Sequence, residues 1–90
     1  MKTICIRAQV FGKVQGVFYR DSTRAQANAL GITGWVKNNR DGSVKLHACG
    51  SQEKIKSLIA WLHQGPPRAA VTEVVWAEIA DERYQGFVIR

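Results

Sequence analysis

The stretch GKVQGVFYR, Gly12 to Arg20, places two glycines, a glutamine, two aromatic residues and an arginine between an alternating apolar segment and a helix-forming run. Two to six polar residues usually suffice at such a junction, so these nine invite a chemical reading. Gly12 and Gly16 permit backbone conformations in which successive N–H groups converge on one point. A helix beginning just beyond them adds the positive end of its dipole. Arg20, at that junction, offers a planar bidentate fork matched to phosphate oxygens. The combination reads as an anion cradle. Its bland alternative is a surface arginine beside a glycine turn.

Other chemistries fit less well. Gly12 to Gly16 is too short for a P-loop, and no Gly-Lys-Ser/Thr follows it. Neither Cys5 nor Cys49 has an arginine six residues downstream, as a cysteine phosphatase loop requires. His47 and His63 stand without further ligands at metal-binding spacing, so no metal site is expected and both read as solvated surface residues. Asn38 and Asn39 precede Arg-Asp-Gly, which on its own is also ordinary turn composition.

The elements that must hold these residues are legible from periodicity. Ile4, Ile6, Ala8 and Val10 alternate with Cys5, Arg7 and Gln9, the pattern of a half-buried strand. Asp21 or Ser22 is placed to cap a helix running to about Leu30, with Gly31 at its end. Ile32 to Asn38 reads as a second strand, and Asp41-Gly42 as a hairpin turn. In the third strand, Val44 to Cys49, Val44, Leu46 and Ala48 point one way and Lys45, His47 and Cys49 the other. Gly50-Ser51 opens a second helix with Ile55, Leu58, Ile59 and Leu62 on its core-facing stripe, and Gln64 to Pro67 stops it. Val71 to Ile79 forms a fourth strand and Gly86 to Arg90 a short last one. Trp35, Trp61 and Trp76 are expected at core edges.

The order βαββαβ, with right-handed crossovers, leads to an α+β fold: a ferredoxin-like sandwich with antiparallel sheet order 4-1-3-2 and both helices on one face. Residues 1–90 are read as a single domain. With 46% apolar and 22% charged residues, the composition is that of a globular chain. No run approaches the roughly 18 apolar residues of a membrane span. Arg7 interrupts MKTICIRAQV too early for a signal peptide, so a cytoplasmic location is expected. Met1 to Gly50 holds eight Lys/Arg against two Asp, a balance of +6, whereas Ser51 to Arg90 holds five of each sign. The basic half is the one with the glycine loop, and it suits a phosphorylated partner.

Both candidate segments carry a resemblance. GKVQGVFYR is similar to the acylphosphatase family signature G-x-V-Q-G-V-x-aromatic-R, and GWVKNNRDGSV (Gly34 to Val44) to its second signature, G-x-V-x-N-x-x-D-G-x-V. The similarity extends over nearly the whole chain, including the terminal GFVIR. It implies hydrolysis of acyl phosphates to a carboxylate and inorganic phosphate, with neither metal nor cofactor. Arg20 matches the phosphate-binding arginine, acting with the backbone amides of Gln15, Gly16, Val17, Phe18 and Tyr19. Asn38 matches the asparagine that positions the attacking water. Tyr19 departs from the usual phenylalanine, and its hydroxyl is expected to reach solvent or a polar partner.

The residue chemistry is consistent with this. Asn38 cannot take a proton at neutral pH, so its part would be orientation. No general acid is evident to protonate an alkoxide leaving group. A carboxylate leaving group, whose acid has a pKa of about 4, needs none. The loop recognises phosphate and little of the acyl group, and a small-molecule acyl phosphate is the expected partner of a monomer.

An RNA-binding module shares the fold, and YQGFVIR (Tyr84 to Arg90) echoes its aromatic signature. The outward residues of the first and third strands supply no aromatic platform, so no nucleic-acid partner is expected. A non-catalytic phosphate-binding regulator, or a relative of the acylphosphatase-like domain of hydrogenase maturation proteins, is the nearer alternative. Finally, order 4-1-3-2 makes the first and third strands antiparallel neighbours and sets Cys5 opposite Cys49. Opposed Cβ atoms lie about 4.5–5.5 Å apart, slightly beyond the 3.5–4.5 Å of a disulfide. Modest adjustment permits the bond, and a reducing compartment opposes it.

Overall fold

The computed structural model describes residues 2–90. Its elements run β1 (Thr3–Lys13), α1 (Tyr19–Ala29), β2 (Thr33–Asn38), β3 (Val44–Ser51), α2 (Gln52–Gln64), β4 (Ala70–Ile79) and β5 (Phe87–Ile89). They form one five-stranded sheet in the order β4-β1-β3-β2-β5. The first four strands pair antiparallel, as the alternation and connections require. The short last strand adds in parallel to the free edge of β2. The result is the expected α+β ferredoxin-like sandwich.

Alternation decides which face is dry. Ile4, Ile6, Ala8 and Val10 of β1 and Val44, Leu46 and Ala48 of β3 are buried together with Val36. The helices close that face: α1 contributes Tyr19, Thr23 and Ala27, and α2 contributes Ile55, Leu58 and Leu62, with Ile59 half-buried beside them. A wholly buried Leu is worth about 1.5–3 kcal/mol, and Leu58→Ala would cost about 2–5 kcal/mol through transfer and cavity terms. Ser51 caps α2 as expected, its hydroxyl accepting from Lys54 N–H at 3.3 Å. Among the described residues no helix is long and apolar enough to cross a membrane.

The start of α1 differs from the expectation. Neither Asp21 nor Ser22 is the cap, because Ser22 N–H already donates to Phe18 O at 3.0 Å, the first bond of the helix. Phe18 stands at the N-cap, and Asp21 sits in the first turn, where its charge faces the dipole favourably.

The outer face of the sheet also departs from the simple reading. Trp61 packs against the core edge, but Trp76 is 47% exposed. Trp35 is buried on the outer face, stacked on His47 at 4.5 Å between centroids and covered by the Arg90 guanidinium at 4.6 Å. His47 is therefore not a solvated surface residue. It contacts the Tyr84 hydroxyl at 3.2 Å and Glu82 at 3.5 Å, and burial lowers its pKa from the ordinary value against the opposing pull of Glu82. Cys5 pairs with Cys49 across β1 and β3, and the two sulfurs are bonded. The close approach of the strands, 4.1 Å between Cα atoms, supplies the adjustment that the bond needs.

Candidate active site

The loop 14–18 is pinned at two points and exposed at two. Val14 and Val17 are buried in the core, whereas Gly16 and Phe18 face outward. Gly16 has φ 73 and open space where a side chain would stand, so the left-handed conformation itself is what selects glycine there. Gly12 does not share in the loop. It lies within β1 at a register shift against β4, where an added Cβ would meet Ala70 O at 2.2 Å. Its absence of side chain serves a bulge, and the cradle expected from Gly12 and Gly16 together rests on Gly16 and on Phe18, whose φ is 63.

Tyr19 then enters the core, and its hydroxyl donates to Leu62 O at 2.7 Å. The partner is polar, as expected, but it is a helix carbonyl. Residue 66, whose N–H would have been the helical donor to that carbonyl, is proline. The phenol thus satisfies an end group of α2. Arg20 follows in the first turn of α1, half-buried.

Asn38 reaches the same place from the other side, at the end of β2. Arg20, Asn38, Gly16, Phe18 and Tyr19 line one cleft of about 380 Å³. Asn38 Oδ1 is buried and accepts no hydrogen bond from a protein group. Asn39 is tied into the hairpin instead: its N–H donates to Ser43 O at 2.8 Å, and its Nδ2 to Ser43 Oγ at 3.1 Å. Turn composition accounts for Asn39 and leaves Asn38 facing the cleft.

The two segments are joined by a side chain whose part the residue types did not announce. Gln15 Nε2 donates to Asn39 O at 2.7 Å and to Ser43 O at 2.9 Å, so the glycine loop holds the β2–β3 hairpin directly. Ser43 in turn donates its N–H (2.9 Å) and hydroxyl (2.5 Å) to Asp41 Oδ1, and Gln9 Nε2 donates to Ser43 Oγ at 2.9 Å. The Ser43 hydroxyl and N–H hold the Asp41 carboxyl below the usual carboxylate range. Of the residues named from sequence, Gln15 and Val17 turn their side chains away from the cleft, so any contact with an anion there falls to their backbone. Cys5 and Cys49 lie toward the opposite end of the sheet, where Cys49 pairs with Thr33 rather than with the Asn38 end of β2.

Three lining residues, Val14, Asp21 and Ile89, lie outside the site residues expected from the sequence, where Asp21 is expected only as a helix cap. Ile89 enters from β5, whose place beside β2 no local pattern reveals. Asp21 is the one carboxylate of the lining, and its Oδ1 lies 3.4 Å from Arg24. Among the described residues, no three His, Cys, Asp or Glu side chains gather as metal ligands.

A family model described as Acylphosphatase matches residues 6–89. The chain is 54% identical over 86 residues to an acylphosphatase of Coxiella burnetii, covering 96% of this chain and 90% of that relative. Its fold is similar to a solved acylphosphatase structure from Coxiella burnetii, with a TM-score of 0.95 and 51% identity over 98% of this chain and 93% of the other. It is likewise similar to the acylphosphatase from Bacillus subtilis, with a TM-score of 0.94 and 32% identity over 97% of this chain and 98% of that one.

Proposed function

Because the chain belongs to the acylphosphatase family and is an enzyme of that activity, we propose that Arg20 and the loop amides hold the phosphoryl group while Asn38 positions the attacking water. The observation that carries this reading is the convergence of Arg20, from α1, and Asn38, from β2, on one cleft.

The phosphoryl oxygens accept from the Arg20 guanidinium and from the backbone N–H groups of Gln15 to Tyr19, at the positive end of α1. The Asn38 side-chain amide hydrogen-bonds the water and so aims an oxygen lone pair at phosphorus. The new P–O bond forms as the bond to the acyl oxygen breaks. The carboxylate departs with the electron pair, and both protons of the water stay with the phosphate product. Asn38 itself neither gains nor loses a proton, and Asp21 stays beside Arg24. The one carboxylate of the lining lies beside Arg24, and there is no imidazole or thiol, so charge neutralisation at the phosphoryl group falls to Arg20 and the loop amides. A carboxylate leaving group suits this site because no acid is needed.

The enzyme is read as a monomer, acting on small acyl phosphates in the cytoplasm. The test is hydrolysis of acetyl phosphate and glycerol phosphate side by side, with and without EDTA. Release of phosphate from the first alone, unchanged by chelator, is expected. Comparable turnover of the monoester, or activity lost to EDTA, would overturn the mechanism.

A further inference from the structure

A second cavity, of about 620 Å³, opens at the end of the sheet away from Asn38. It lies between the sheet and the β4–β5 connection, with Thr33 and Ser51 on one side and Glu82, Arg83 and Tyr84 on the other. Cys5 and Cys49 are buried, yet both line this cavity. A disulfide that only braced the sheet would need no such opening.

The two sulfurs are not equivalent. Glu82 O lies 3.5 Å from Cys5 Sγ and 3.6 Å from Cys49 Sγ, a carbonyl that disfavours negative charge on either. Among the described residues, Cys5 alone has an offsetting donor, the Glu82 N–H at 3.3 Å. Cys5 is therefore the better leaving group, and exchange proceeds by attack on its partner. The cavity is skewed the same way. In the sheet, Cys49 stands between Cys5 and Thr33 of β2, whereas Cys5 stands between Cys49 and Ile79 of β4. An attacking thiolate approaches the struck sulfur from the side away from the bond that breaks. That side is Thr33's for Cys49 and Ile79's for Cys5. Thr33 lines the cavity, and no residue of β4 does.

We propose that this cavity admits a low-molecular-weight thiol, which opens the disulfide by attack on Cys49. The thiolate sulfur bonds to Cys49 Sγ, the Cys5–Cys49 bond breaks, and Cys5 leaves with the electron pair, received by the Glu82 N–H. The incoming thiol is oxidised to a mixed disulfide and Cys5 is reduced. The proton that the thiol lost ends on Cys5, which then donates to Glu82 O. Thr3, Thr33 and Ser51 make the lining polar and suit a hydrophilic thiol. This second site stands apart from the phosphoryl chemistry and makes the stability the bond confers depend on surrounding thiols.

The experiment exposes oxidised protein briefly to 2-mercaptoethanol, quenches in acid, alkylates with N-ethylmaleimide and maps the peptides by mass spectrometry. In folded protein the mixed disulfide should sit on Cys49, with Cys5 alkylated, in about tenfold excess over the reverse, the worth of one hydrogen bond to a charged group. In urea the two adducts should approach equality. Thr33→Phe, which keeps a strand-forming residue and fills the approach to Cys49, should slow opening several-fold in protein that urea unfolding shows to be folded. Equal adducts in the folded protein, adducts formed only in urea, or unchanged opening in Thr33→Phe would each overturn the proposal.

Discussion

In the proposed mechanism Arg20 and Asn38 touch different parts of the reaction, so truncating each should leave a different kinetic trace. There Arg20 would bind phosphate in ground state and transition state alike, through a charge-assisted contact worth about 3 kcal/mol. Arg20→Ala should weaken inhibition by inorganic phosphate and lower the rate, each by roughly 10²-fold. Asn38, as proposed, would order a water that matters only on the way to the transition state. Asn38→Ala should therefore lower kcat heavily with phosphate inhibition nearly intact. Steady-state kinetics with phosphate as competitive inhibitor separates the two, and equal loss of phosphate affinity in both would refute the division. Tyr19 acts on stability. Tyr19→Phe strands the Leu62 carbonyl and should cost about 1–2 kcal/mol, lowering Tm by roughly 4–8 °C per kcal/mol. Burial also pushes the Tyr19 phenol above its usual range. Above pH about 10 the unfolded chain releases this proton while the folded chain keeps it, so folding stability falls as pH rises further. The Tm gap between the parent and Tyr19→Phe should accordingly narrow between pH 8 and pH 11.

At the scale of elements, the link between the β1–α1 loop and the β2–β3 hairpin is the Gln15 amide. It donates to two hairpin carbonyls, and the second of them belongs to Ser43, which Asp41 and Gln9 already hold. Methionine matches glutamine in length but donates nothing. Gln15→Met should leave the loop backbone in place and let the hairpin shift against it, moving Asn38. A displacement of an ångström or less is enough to lower kcat about tenfold, whereas Arg20 stays where it was and phosphate inhibition changes little. The cycle with Asn38→Ala checks the route. If Gln15 acts through Asn38, the double variant loses scarcely more than Asn38→Ala alone. Independent losses that add would show that Gln15 serves only folding.

For the molecule as a whole, the largest single constraint on the unfolded chain is the Cys5–Cys49 bond, which spans 44 residues. Closing such a loop contributes about 4 kcal/mol on the chain-entropy account. Urea unfolding of purified protein should show a loss of that order on reduction, or in Cys5→Ser. Two thiols should titrate under denaturing conditions only after reductant is added. Activity at room temperature should persist in the reduced protein, because the bond lies at the end of the sheet away from Asn38. Two thiols without reductant would show that the purified protein does not carry the bond.

Much of this architecture is written in one dimension. Period-two alternation in β1 and β3 and the Ile55, Leu58, Leu62 stripe of α2 name the buried faces, because burial repeats with the geometry of each element. The strand order follows from short antiparallel connections and right-handed crossovers, and with it the opposition of Cys5 to Cys49. The two motifs carrying Arg20 and Asn38 are equally legible, since backbone-permissive glycine and turn residues sit at fixed spacing in each. Tertiary structure alone decided the rest. Phe18 became the N-cap because Val17 and Tyr19 on either side are drawn into the core, and nothing in the identity of a phenylalanine announces φ above zero. The partners of Gln15 and of the Tyr19 hydroxyl lie 24 or more residues away along the chain. The three residues of β5 find β2 through the packing of the sheet edge over α1, which places Ile89 at the cleft. Periodicity records whether a residue is buried. It does not record against what, and that depends on how helices and sheet settle on one another in three dimensions.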